Sequence, residues 1–175
     1  MTFSEAAAAE HLGAVLHRLA GEGAVPRGDQ VAAVHAIVQP AARVLVVQAT
    51  GWGKTAVYWA ATAALRSQGA GPTLVVSPLL ALMRDQVAAA TAAGLRAATV
   101  NSTNLDEWDP VFEALDHDRL DVLLVSPERL GNPRFAARLD QQGTWRKSGR
   151  RPGRTHRGSH GAACVETLPA QTPQH

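Results

Sequence analysis

One octapeptide limits what this chain can fold into. Gln48-Ala49-Thr50-Gly51-Trp52-Gly53-Lys54-Thr55 follows an apolar run, Val44-Leu45-Val46-Val47, and precedes an Ala-rich stretch of helical character. Strand, glycine-bearing turn, Lys-Thr and helix is the layout of a phosphate-binding loop. Small residues let successive backbone N–H groups turn inward as a nest for phosphate oxygens. The helix that follows adds the positive end of its dipole. In such a loop the lysine reaches the β- and γ-phosphates and the hydroxyl residue holds Mg²⁺. Those roles fall to Lys54 and Thr55. The strict pattern G-x-x-x-x-G-K-[ST] wants glycine where Gln48 stands, so the match is to Gly51-x-Gly53-Lys54-Thr55.

The surrounding pattern alternates. Thr2-x-x-Glu5 has capping-box spacing before Ala6 to Ala20, and Leu12, Val15, Leu16 and Leu19 share one helical face. Gly21 and Gly23 end that helix. Asp29 is placed to cap a second helix bearing Val31, Val34, Ile37 and Val38, which Pro40 stops. After the loop, Ala56 to Gln68 reads as a helix and Thr73 to Val76 as a buried parallel strand broken by Ser77-Pro78. Leu79 to Ala93 is a helix with Gly94 as its cap. Arg96 to Val100 is a strand candidate followed by the polar turn Asn101-Ser102-Thr103-Asn104. Asp106 to Asp118 is helical in pattern, and Asp121 to Val125 is a fourth strand candidate, again followed by Ser126-Pro127. The fold class is therefore α/β: a parallel sheet flanked by helices. Ligands in such sheets gather at the carboxyl ends of the strands, where the loop and these turns fall.

Charge divides the chain near residue 140. Residues 1–140 carry 11 Lys and Arg against 14 Asp and Glu, whereas residues 141–175 carry six against one. The basicity belongs to the tail, so nucleic-acid contacts in the body depend on local placement. Residues 141–175, with Trp145-Arg146-Lys147-Ser148-Gly149-Arg150-Arg151, lack apolar periodicity and are expected to be disordered. They read either as sequence under no structural selection or as a basic nucleic-acid-binding arm. The expected organisation is an amino-terminal helix over 1–22, a partial nucleotide-binding domain over 23–140 and this tail over 141–175. A single cysteine, Cys164, suits a reducing cytoplasm. No apolar run approaches the length of a membrane span and the amino terminus has no signal-peptide pattern.

Five stretches in order resemble the RecQ-type helicases of superfamily two. Arg27-Gly28-Asp29-Gln30 resembles that family's adenine-reading Arg-Pro-Gly-Gln. Ala49-Thr50-Gly51-Trp52-Gly53-Lys54-Thr55 is similar to Pro-Thr-Gly-Gly-Gly-Lys-Ser, in a family that also lacks the first loop glycine. Ser77-Pro78-Leu79-Leu80-Ala81-Leu82-Met83-Arg84-Asp85-Gln86-Val87 resembles Ser-Pro-Leu-x-Ser-Leu-Met-x-Asp-Gln-Val. Asn101-Ser102-Thr103 and Ser126-Pro127-Glu128-Arg129-Leu130 match later signatures. The resemblance covers roughly residues 10–140 and implies an incomplete RecA-like P-loop NTPase domain. It implies ATP and Mg²⁺ as cofactors, with Arg27, Gln30, Thr50, Gly51, Trp52, Gly53, Lys54 and Thr55 around the nucleotide and Thr55 on the metal. It further implies single-stranded DNA, in preference to RNA, along Ser77, Pro78, Leu79, Asn101, Ser102, Ser126, Pro127, Glu128 and Arg129. Read without the resemblance, Gln30 is a solvated first-turn residue and the two Ser-Pro pairs are strand terminators.

The family's Asp-Glu-x-His motif occurs nowhere in the chain, and Asp106-Glu107 precedes the fourth strand candidate. ATP hydrolysis needs such acids, and usually an arginine finger, besides a phosphate cradle. The resemblance stops near Leu139-Asp140, where composition also shifts. The expectation is a truncated gene product with a frameshifted or rearranged end: the ATP- and DNA-binding part of a 3′–5′ helicase of recombination and repair, inactive alone. Two other functions compete with it: a non-catalytic module binding nucleic acid through its tail, and another P-loop NTPase.

Overall fold

The computed structural model describes residues 3–101, 108–141 and 164–166. Its elements are α1 (Glu5–Ala20), α2 (Gly28–Val38), α3 (Lys54–Ser67), β1 (Thr73–Val76), α4 (Leu80–Ala92), β2 (Ala97–Val100), α5 (Trp108–Asp116), β3 (Val122–Val125), α6 (Pro127–Leu130), α7 (Pro133–Gln141) and β4 (Cys164–Glu166). The strands form one sheet in the order β2-β3-β1-β4, with every pair parallel. Ala97, Val122 and Thr73 share one level of the ladder and Val100, Val125 and Val76 another. The strands therefore end together, and the segments that follow them emerge at one edge. This is a partial RecA-like domain.

Strand β3 shows why the run Val-Leu-Leu-Val is unbroken. Val122 and Leu124 join the core beneath α1 to α4, while Leu123 and Val125 join Phe112, Leu115 and Phe135 on the opposite side. Successive side chains point to opposite faces, and both faces are covered, so no position can be polar. Helix α3 is buried along most of its length, from Ala56 through Thr62 and again at Ala64 and Leu65. Its Ala-rich composition lets α1 and α2 approach closely. Ala8, Leu12 and Val15 of α1 share this core, so the amino-terminal helix packs as part of the domain.

Several expectations are corrected. Val44–Val47 is no strand: residues 42–49 have no regular structure, and Leu45 and Val47 are 82% and 79% exposed. A strand needs a neighbour's N–H and C=O groups, and the edge of β1 facing away from β3 is taken by β4. Helix α1 is capped by Ser4, whose Oγ accepts from Ala7 N at 3.2 Å; Thr2, where the expected capping box starts, lies outside the described residues. Helix α2 starts at Gly28, with Arg27 in the cap position; Gln30 Oε1 accepts from Arg27 N at 3.1 Å, the return half of a capping box. Helix α3 begins at Lys54, two residues before the Ala-rich run, because Gly53 can take the left-handed turn that admits it. Within the tail expected to be disordered, Cys164–Glu166 forms β4, with Val165 opposite Val75. Residues 106 and 107 lie outside the described part.

At the opposite end of the sheet from these turns, Asp121 ties three elements together. Its carboxylate accepts from Arg66 Nε at 2.8 Å and from Arg96 NH2 at 2.7 Å, and from Arg96 N at 2.9 Å. Burial alone would raise its pKa; the hydrogen bonds from Arg96 and Arg66 outweigh burial and hold it at about 2, against an ordinary 3.8. A folded value below the unfolded one stabilises the fold above the unfolded pKa. That stabilisation is lost as pH falls through the folded value. Urea unfolding between pH 5 and pH 2 is expected to show about 2 kcal/mol of acid-labile stability from this group. Asp121→Asn should flatten that part of the profile; an unchanged profile would exclude Asp121 as its source.

Candidate nucleotide and strand-binding site

The phosphate loop is shaped by two glycines. Gly51 and Gly53 have φ of 82° and 97°, a region that side chains other than glycine enter at a cost. Gly53 is also the residue before α3, and no side chain caps that helix. The first N–H groups of a helix have no acceptor within it. A nest of free N–H groups at a positive dipole end fits a phosphate chain. Lys54 Nζ donates to Gln48 O at 2.7 Å and Ala49 O at 3.0 Å, so its ammonium lies inside the loop. Anionic phosphate oxygens are stronger acceptors than neutral carbonyls and would draw it from them.

Trp52 resolves a steric problem posed by the sequence. An indole between two loop glycines must avoid the phosphate nest, and here it turns toward the start of α2. Its Nε1 donates to Asp29 Oδ2 at 2.8 Å, and the Arg27 guanidinium lies over the ring at 5.7 Å. Its backbone carbonyl accepts from Gln30 Nε2 at 2.8 Å and from the Arg27 guanidinium. Arg27 and Gln30 thus meet the loop through one residue. Gln30 is 3% exposed, so it is not a solvated first-turn residue, and both ends of its amide are engaged. Asp29, expected as a helix cap, accepts from Gln30 N at 2.9 Å and also holds Trp52. Both Asp29 and Trp52 stand where the family pattern has glycine, and that joint departure was the signal in the sequence.

The turns after the strands gather at the same sheet edge. Ser77 N donates to Val125 O at 3.0 Å and Ser126 N to Val100 O at 3.4 Å, so each serine extends its strand by one rung. Ser77, Asn101 and Ser126 are buried, while Pro78, Leu79, Pro127 and Glu128 are exposed. Leu79 and Leu82 are 53% and 46% exposed, a surface that a nucleobase could cover. Arg129 lies 5.2 Å over the ring of Trp108, an aromatic partner that the strand-contact reading did not include. Thr50 lies in the exposed part of the loop, and Ser102 falls outside the described residues. Tyr58, absent from the expected site, reaches Thr55 from the core, and Gln86 in turn donates to Tyr58.

Similarity to known proteins decides the family. Residues 27–147 match the family model of the DEAD/DEAH box helicases. The chain belongs to that family. Within it, the similarity is to RecQ-type enzymes. It is 41% identical over 102 residues to "ATP-dependent DNA helicase Q-like 2" of Arabidopsis thaliana, covering 56% of this chain and 14% of that protein. It is 32% identical over 112 residues to "ATP-dependent DNA helicase RecQ" of Bacillus subtilis, covering 62% of this chain and 18% of that one. The same-named protein of Haemophilus influenzae is 40% identical over 87 residues, 49% of this chain and 13% of its own length. The aligned stretch is thus less than a fifth of each relative. No helix among the described residues is long and apolar enough to cross a membrane.

Gly53 offers a direct check on this helicase-like site. A Cβ there would lie 2.7 Å from Gln30 Nε2, on a backbone with φ of 97°. Gly53→Ala is expected to cost about 1–3 kcal/mol in urea unfolding. Gly28→Ala, where a Cβ meets nothing within 4 Å, should be neutral or stabilising by up to about 1 kcal/mol. Equal effects at the two positions would contradict the loop conformation described.

Proposed function

We propose that this chain is the ATP- and single-strand-binding part of a RecQ-like DNA helicase. The observation that carries the reading is the loop: two left-handed glycines, an uncapped helix start and a lysine already inside the turn. Lys54 would hold the terminal phosphates and the Thr55 hydroxyl the magnesium ion. Gly51, Gly53 and the first N–H groups of α3 would line the phosphate chain. Thr50 and Trp52 would flank it, and Arg27 and Gln30 would lie against the base. Bound ATP supplies the phosphoanhydride bond whose cleavage drives strand movement in such enzymes.

The second surface is the row of turns at the strand ends. Ser77, Pro78, Leu79, Asn101, Ser102, Ser126, Pro127, Glu128 and Arg129 would lie along a DNA strand. Backbone N–H groups, hydroxyls and arginine would contact phosphates without reading sequence. A 3′–5′ direction and a role in recombination and repair follow from the family resemblance, a cytoplasmic setting from the lone cysteine, and all three belong to this proposal.

We read these 175 residues as binding without turnover, because the Asp-Glu-x-His acids are not among them. Titration with a fluorescent ATP analogue should show saturable binding that Lys54→Ala weakens by about tenfold or more. Replacing Arg150 and Arg151 by Ala, which removes tail charge and keeps Cys164–Glu166 on β1, should leave that affinity unchanged. DNA-stimulated ATP hydrolysis should be negligible. Robust turnover abolished by Lys54→Ala would refute binding without turnover, and nucleotide binding indifferent to Lys54 would refute the site itself.

A further inference from the structure

Thr55, assigned above to magnesium, ends a polar chain that begins on a different helix. Tyr58 lies one turn further along α3 and donates its O–H to Thr55 Oγ1 at 3.3 Å. Gln86, in α4, donates from Nε2 to the Tyr58 hydroxyl at 3.4 Å. Tyr58 and Gln86 are 3% and 6% exposed. A phenol keeps its proton at neutral pH, so Tyr58 can serve as the donor in this chain. Gln86 Oε1 is buried with no hydrogen-bond partner. An apolar side chain of similar size would suit this interior better than a half-satisfied amide, so packing does not account for Gln86.

The direction of the chain follows from its chemistry. An amide nitrogen only donates, so the Tyr58 oxygen accepts there and its proton goes to Thr55. A threonine oxygen has two lone pairs and one proton. With one lone pair taken by Tyr58, the other is held toward the loop for a cation, and the threonine proton is left for an anionic acceptor. Gln86 lies on the helix that starts directly after Ser77-Pro78-Leu79, the segment placed on the strand path.

We propose that Gln86 and Tyr58 are positioning residues that set the Thr55 hydroxyl for magnesium and link that setting to strand binding at the start of α4. This rests on the reading given under Proposed function. The link is physical: a shift of α4 moves Gln86 Nε2, the donor to the Tyr58 hydroxyl among the described residues.

The test titrates the full 175-residue chain with a fluorescent ATP analogue, with and without Mg²⁺ and with and without an oligothymidylate of about 12 nucleotides. Tyr58→Phe should lose a Mg²⁺-dependent gain in affinity of about tenfold while keeping the Mg²⁺-free affinity. Gln86→Leu should abolish the effect of the oligonucleotide on Mg²⁺-dependent binding. The double variant, Tyr58→Phe with Gln86→Leu, leaves neither buried group half-paired. It should recover the thermal stability that Tyr58→Phe alone loses by leaving the Gln86 amide wholly unpaired, yet not the Mg²⁺ response. If the double variant recovers both, the chain is packing alone and the proposal is overturned. If Tyr58→Phe titrates like wild type while Lys54→Ala does not, the proposal fails and the nucleotide site stands. If the wild type shows no Mg²⁺-dependent binding, the assignment of Thr55 falls and takes this proposal with it.

Discussion

Helix α3 is buried from Ala56 to Leu65 with few breaks, and its first residue is the lysine of the phosphate loop. A helix enclosed by α1, α2 and the sheet cannot slide or rotate without opening the core at Trp59, which is 0% exposed. The loop is therefore fixed at its carboxyl end by hydrophobic packing. Small residues make that packing possible: Ala56, Ala60, Ala61 and Ala64 let neighbouring helices come close. Burial of this kind contributes roughly 25 cal/mol per Å² of apolar surface removed from water. Stability of the core and placement of Lys54 are thus one property.

The amino-terminal end of the loop is held differently. Residues 42–49 make no ladder, so no sheet hydrogen bonds fix their path. Trp52 supplies a fixed point instead, with its carbonyl on Gln30 and Arg27 and its indole on Asp29. The contacts are polar and partly exposed, each contributing about 0.5–1.5 kcal/mol. They are weaker than the burial of α3, so the loop is rigid at one end and looser at the other. Such a gradient suits the proposed site, in which the lysine would leave the carbonyls of Gln48 and Ala49 for a phosphate.

Where the signal was local, the sequence could be read. The run Val122 to Val125 required burial on both faces, and both faces are covered. The Leu12, Val15 pattern required a helix with one apolar side, and α1 packs that side on α3. Strand pairing is not local. Nothing within Val44 to Val47 says whether a neighbour exists, and the apolar run remained exposed for want of one. Nor does composition show that Cys164–Glu166, outside any periodic pattern, would pair with β1. At the site, the residues with motif spacing were legible, from Gly51 to Thr55. Asp29, Tyr58 and Gln86 were not, because their roles depend on which side chains meet across elements 22 to 28 positions apart.

The pair Asp29 and Trp52 shows how a motif can change two residues and keep its geometry. Glycine at both positions would leave the loop free to approach the start of α2, at the entropic cost that glycine carries in the unfolded chain. An indole at 52 removes that freedom and must find a place outside the phosphate nest. A carboxylate at 29 provides the acceptor, and it sits at the amino-terminal end of α2, where negative charge is favoured by the helix dipole. Arg27 over the indole then neutralises the carboxylate's neighbourhood and adds its own bond to the Trp52 carbonyl. Each change supplies the other with a partner: Asp29 accepts from the Trp52 indole as well as from Gln30 N, and the indole N–H is held in one direction. The two departures from the family pattern act together, and they tie the start of α2 to the loop before α3.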